Sequence, residues 1–215
     1  MLIRTDRLAD EFYLLGHDEH SGRCLLPARV AGLGMASALL GELILGGYIG
    51  LWTGRVASLR VEPPKDPLNF RTVVAIAREE QRPVRDWLLF LAQSATDSVA
   101  RRLADSGLLA QRASRIPLRR GCLAPTESNN AAIISASLCT RLVRKEPLDD
   151  KTALLAGLAR ATGLERDHPG LWEVRDRPTA QEYLNSVLAS LPSSGRQLIS
   201  QTEAAIAAAI ATHRV

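Results

Sequence analysis

Pro27-Ala-Arg-Val-Ala-Gly-Leu-Gly-Met-Ala-Ser-Ala-Leu-Leu-Gly-Glu-Leu-Ile-Leu-Gly-Gly47 is the stretch on which the fold turns. Pro27 suits the first turn of a helix, where its missing N–H is not needed. Val30, Leu33, Ala38, Leu39, Leu43 and Ile44 put apolar groups around most of the circumference, which predicts a central, buried helix. Gly46-Gly47 can supply the left-handed geometry that ends it. The most apolar part, 30–45, is too short to span a bilayer and carries Glu42. Gly32, Gly34 and Gly41 read as places where neighbouring helices come close. Gly32-Leu-Gly34 is not a dinucleotide loop, because it lies inside a helical run rather than after a strand.

Upstream, Thr5 and Asp6 are placed to cap a short helix through Phe12. Tyr13–His17 and Arg23–Leu26 then read as short strands around an Asp18–Gly22 turn. Downstream, Tyr48–Trp52 and Arg55–Val61 form a hairpin pattern about Thr53-Gly54. Helices are expected over 66–80, from Pro83 to Leu91, and from Thr96 or Asp97 to a stop at Gly107. A strand–turn–strand pattern covers 108–123. Helices over 128–143, 149–162, 179–191 and 194–213 complete the chain. The expected fold class is mainly α: one domain, 1–215, with a helical core and peripheral β-hairpins.

Composition agrees with that class. Hydrophobic residues make up 46% but aromatics only 4%, so the core must be built from Leu, Ala, Ile and Val, which favours packed helices over a β-sandwich. Cys24, Cys122 and Cys139 are odd in number and form no C-x-x-C pair, so they read as reduced thiols in a cytosolic protein. The first residues carry charges before any long apolar run, unlike a signal peptide. His17-Asp-Glu-His20 superficially offers metal ligands, but His168 and His213 are the only other histidines, and a polar, solvated turn is the expectation. No G-x-S-x-G, H-E-x-x-H or Walker pattern is present. The residues therefore offer no catalytic candidate, and no enzyme, metal or cofactor is expected.

Charge is the unusual feature. Residues 101–120 hold six arginines and one acid, Asp105, a local net of +5 in a chain of net +4. Arg112, Arg115, Arg119 and Arg120 flank Ile116-Pro-Leu118. This pattern suits an anion-binding rim whose Ile116 and Leu118 enter a lipid headgroup layer. Each basic residue near an anionic surface contributes about 1 kcal/mol. A plain solvated hairpin fits the same residues. So does a winged-helix nucleic-acid binder, although the preceding helix offers mainly Gln93, Ser94, Thr96, Asp97 and Ser98, with Arg101 and Arg102 late on it. A further alternative is a homo-oligomeric interaction scaffold that uses the hairpin or Trp52.

Three segments resemble the Golgi phosphoprotein 3-like family. They are Leu8-Ala-Asp-Glu-Phe-Tyr-Leu-Leu-Gly-His-Asp-Glu-His-Ser-Gly22, Leu39-Leu-Gly-Glu-Leu-Ile-Leu-Gly-Gly-Tyr-Ile49, and Val84-Arg-Asp-Trp-Leu88 followed by Val99-Ala-Arg-Arg-Leu-Ala-Asp-Ser-Gly-Leu-Leu109. Asp150–Ala161 also fits, and the order and spacing match over most of the chain. The Arg and Ala bias is similar to that of bacterial, actinobacterial-type members. The resemblance implies a helical body with hairpins and a non-enzymatic adaptor, peripheral on the inner, cytoplasmic face of a membrane. It also implies partners: an anionic lipid such as phosphatidylinositol 4-phosphate, and a client protein. The family's headgroup pocket uses a Trp and three Arg whose positions fall near Pro27, Ala36, Gln93 and Thr96, none of which matches. Its membrane-inserting hairpin corresponds to 108–123 here.

Overall fold

Val30 to Gly41 is buried without a break inside α2 (Ala28–Leu45), and the other elements are arranged around that helix. The computed structural model describes residues 5–18, 21–59, 62–79, 81–112, 122–126, 129–167 and 177–211. Pro27 sits at the start of α2 with extended ψ, and Gly47, at φ +68°, turns the chain out of it. Its bounds are those expected, from Pro27 at the start to Gly46 at the end. At 18 residues with mean hydropathy 1.5 it has the length and apolarity to cross a membrane, yet 72% of it is buried inside the protein.

The glycines of α2 do what close packing requires. A Cβ on Gly34 would lie 2.7 Å from both the Phe12 ring and the Thr162 methyl, and one on Gly41 would lie 2.6 Å from Leu8 Cδ2. On another side of the helix, a Cβ on Gly32 would lie 2.8 Å from the carbonyl oxygen of Ala92. Such close-packed surroundings leave little room for an added methyl group.

Helix α1 (Leu8–Leu15) corrects the expected boundaries. It does not stop at Phe12, and the two strands expected after it shrink to one bridge, His17 with Cys24. Tyr13, Leu14 and Leu15 stay helical because α2 and helices later in the chain cover α1 from several sides, so consecutive apolar residues are all buried. Neither Thr5 nor Asp6 is its N-cap residue; Arg7 is.

Strands β1 (Ile49–Trp52) and β2 (Arg55–Ser58) pair antiparallel through a two-residue turn in which Thr53 and Gly54 both have positive φ, 48° and 74°. That is the primed turn whose twist matches a hairpin. The second strand ends at Ser58 rather than Val61. Asp66 caps α3 (Pro67–Arg78) by accepting from Asn69 N–H at 2.9 Å. Helices α4 (Val84–Leu91) and α5 (Ala95–Asp105) follow, and Gly107 at φ +76° releases the chain into β3 (Leu109–Arg112), paired with β4 (Cys122–Pro125).

The remainder is α6 (Asn129–Val143), α7 (Asp150–Ala161), a single helical turn α8 (Leu164–Asp167) absent from the expected pattern, α9 (Arg177–Ser190) and α10 (Ser193–Ala211). Asp149, the first residue of the helix expected over 149–162, caps α7 by accepting from Thr152 N–H at 2.7 Å. Helix α2 packs against α1, α4, α5, α7 and α10. Deep in its contact with α10, the Ser37 and Thr202 hydroxyls meet at 2.7 Å. One donates to the other, which donates in turn to a carbonyl one turn back on its own helix, so both buried hydroxyls are satisfied. The result is the mainly α fold with peripheral hairpins expected from the sequence.

Candidate functional site

The base of the basic hairpin is firmly held. Leu109 pairs with Pro125, Ala110 with Ala124, Gln111 with Leu123 and Arg112 with Cys122. Leu108, Leu109 and Ala124 are buried, and the Thr126 hydroxyl donates to the Gly107 carbonyl at 2.9 Å. The turn after α1 buttresses the second strand so closely that a Cβ on Gly22 would lie 2.5 Å from the Leu123 carbonyl oxygen. Residues 113–121 join the paired ends. Arg115, Ile116, Leu118, Arg119 and Arg120 therefore lie outside the described residues, and of Arg112 only the backbone pairing is described.

The other two arginines of the same basic stretch have a different fate. Arg101, on α5, is exposed and donates to the Asp97 carbonyl of its own helix. Arg102 points inward, its side chain only 9% exposed, into three carboxylates. It meets Asp10 at 2.5 Å, Glu42 at 2.8 Å and Asp66 at 3.3 Å. Both guanidinium Nη groups reach Glu42, one to each carboxylate oxygen, so that pair is bidentate.

Every carboxylate in this cluster has a second task. Glu42 accepts from Ala9 N–H at 2.9 Å, closing the first turn of α1 from the end of α2, and from Asn69 Nδ2 at 3.0 Å. Asp10 accepts from the Thr5 hydroxyl at 2.9 Å, and Asp66 caps α3 while pairing with Arg7 at 2.8 Å. One guanidinium thus joins the start of α1, the end of α2, the start of α3 and the last part of α5. Burial pushes the Asp10 carboxyl above its ordinary value, with Arg102 and Thr5 opposing and Glu42 adding to the rise. Burial alone would lower Arg102, but hydrogen bonds and charge from Glu42 and Asp10 raise it above its ordinary value. Sequence reasoning missed this cluster. Glu42 alone hinted at it, as an acid on an otherwise apolar helix.

Commitment of Arg102 to the core also weakens a nucleic-acid reading, since α5 then presents only Arg101 late on its outer face. The four positions near which the resemblance puts the family's headgroup residues differ in exposure. Ala36 is completely buried, whereas Pro27 and Gln93 are exposed. Trp52 stands half exposed on β1, its ring over Gly50.

The turn at 17–22 is only partly the solvated one expected. Asp18 accepts from Ser21 N–H at 2.7 Å and from its hydroxyl at 2.6 Å, as a polar turn should. His17, however, is buried, stacked on Tyr13 with ring centroids 3.9 Å apart. Its Nδ1 lies 2.7 Å from the Tyr13 carbonyl oxygen, so the neutral ring donates there. Burial lowers its pKa, the hydrogen bond to Tyr13 opposing. Glu19 and His20 lie outside the described residues. Among the described residues no group of three or more His, Cys, Asp or Glu is arranged to hold a metal ion, and Cys24 is a free thiol.

Fold and site together define a helical domain wound about one buried apolar helix, with two small hairpins at its periphery. The chain belongs to the Golgi phosphoprotein 3 (GPP34) family, whose model matches residues 8–202. No curated protein matches it.

Proposed function

We propose that this protein is a non-enzymatic peripheral membrane adaptor that docks on anionic lipid through the segment joining β3 to β4. Arg112, Arg115, Arg119 and Arg120 pair with lipid phosphates, and Ile116 and Leu118 form a shallow apolar wedge. The observation that carries this reading is the charge of 108–123, four arginines and no acid, on a hairpin whose base is buried and braced. Family membership supports it. Four basic residues at about 1 kcal/mol each suffice for reversible docking. On this reading the protein lies in the cytoplasm, against the inner face of the membrane, and presents its helical body to a client protein. The substituted headgroup positions near Pro27, Ala36, Gln93 and Thr96 favour general anionic attachment over strict selection of phosphatidylinositol 4-phosphate.

Co-sedimentation with vesicles tests it. Binding should rise with the anionic fraction and fall with salt, as expected of exposed charges. It should be lost when Arg112, Arg115, Arg119 and Arg120 are all changed to Glu. Vesicles containing phosphatidylinositol 4-phosphate should bind no better than others of equal charge. Unchanged sedimentation of the fourfold variant overturns the mechanism.

A further inference from the structure

Away from the hairpin, a half-enclosed cavity of about 280 Å³ lies between α1, α6 and the start of α7. That is near the lower end of small-molecule sites, roughly 300–1,000 Å³. Its apolar wall is Leu14, Ile134, Leu138 and Leu155, and Ile133, a large apolar side chain left exposed, also lines it. Its charged groups are two cations, Arg141 and Lys151, and three acids, Asp6, Glu11 and Asp149, with the hydroxyls of Thr5, Ser137 and Thr152 beside them in the lining.

These charges divide in an informative way. Lys151 Nζ meets Glu11 Oε1 at 2.8 Å, so that pair satisfies itself. What remains is one cation and two acids. Arg141 is held by donating to the Pro147 carbonyl and, at 3.4 Å, to the Thr152 hydroxyl. Among the described residues no carboxylate lies within ion-pair distance of it. Burial acts to raise the Asp149 carboxyl, but the hydrogen bonds from Thr152 and the charges of Arg141 and Lys151 more than offset this, so it stays ionised. Asp6 is exposed beside it in the lining. An anion alone would face the acidic excess, and a cation alone would face Arg141. The lining favours a molecule carrying both charges on a small apolar body.

We propose that this cavity binds a free apolar α-amino acid, with its carboxylate on Arg141, its ammonium toward Asp6 and Asp149, and its side chain against Ile134 and Leu138. The site is separate from the lipid-docking segment and does not depend on it. L-leucine, leucinamide and N-acetylleucine, titrated into the full chain and followed by amide chemical shifts, provide the test. Leucine should give saturable shifts confined to α1, α6 and α7, with about millimolar affinity. Leucinamide and N-acetylleucine, each lacking one charge, should bind about tenfold more weakly. Arg141→Gln should weaken leucine about tenfold and should not weaken leucinamide, which has no carboxylate for Arg141 to hold. Absence of saturable shifts with leucine, or leucinamide binding as tightly as leucine, overturns the proposal on the unmodified protein alone, whatever the variant's stability.

Discussion

Arg102 and Arg112 stand ten positions apart in one basic stretch, yet they belong to different kinds of structure. Arg102 is enclosed by Asp10, Glu42 and Asp66, which lie 92, 60 and 36 positions away along the chain. Arg112 opens a segment with no acid between 108 and 123. The first arginine neutralises charges that the fold has already buried. The second, with Arg115, Arg119 and Arg120, has no such acid nearby in sequence, and on the proposed reading it meets an external anion. Counting arginines in a window merges these two roles, and the local +5 overstates the charge offered outside.

The most severe way to break the comparison is Arg102→Leu. It leaves the buried Asp10 and Glu42 without a cation and Asp66 with Arg7 alone, and breaking a buried pair this way costs about 3–5 kcal/mol. The urea midpoint should fall accordingly, while molecules that remain folded should still bind anionic vesicles. If the midpoint hardly moves, the cluster is not the junction described here.

Gly34→Ala acts on the same core without touching charge. Its new methyl would lie 2.7 Å from Phe12 and Thr162, and overpacking of this kind costs about 1–3 kcal/mol. Denaturant unfolding should register that loss, and vesicle binding should not change. A neutral or stabilising result would mean that α1 and α7 yield more easily than their packing implies.

The smallest effect concerns pH and links the two regions, since His17 lies at the turn that braces β4. Its folded-state pKa lies below the ordinary 6.5 because burial disfavours the charged ring. The unfolded chain therefore takes up a proton first, so this contribution to stability is full above about pH 6.5 and declines as pH falls toward the lowered value. His17→Phe should flatten that part of the stability–pH curve, measured by thermal melting. An unchanged slope would place the acid sensitivity elsewhere.

Much of this fold is legible in the sequence for local reasons. Asp66 and Asp149 announce their helices, Thr53-Gly54 announces its hairpin, and the apolar circumference of 30–45 marks the helix that is buried. Local pattern fails where tertiary contacts decide. Tyr13–Leu15 could be strand or helix by composition, and short apolar runs are ambiguous in this way. Neighbours on several sides make it helix. The Arg102 cluster is invisible for the same reason, because its acids arrive from α1, α2 and the cap of α3. Of the candidate lipid site, the strands and the charge run can be read from sequence, and the braced base of the hairpin emerges only from the fold.

The central claim is that the two sets of arginines are separable, one serving the fold and the other the membrane. Vesicle co-sedimentation of a variant with Arg112, Arg115, Arg119 and Arg120 all changed to Gln, run beside its urea unfolding curve, tests this most directly. The account predicts that binding to anionic vesicles weakens by about 4 kcal/mol, on the order of a thousandfold, while the unfolding midpoint stays where it was. Full binding by that variant would contradict it.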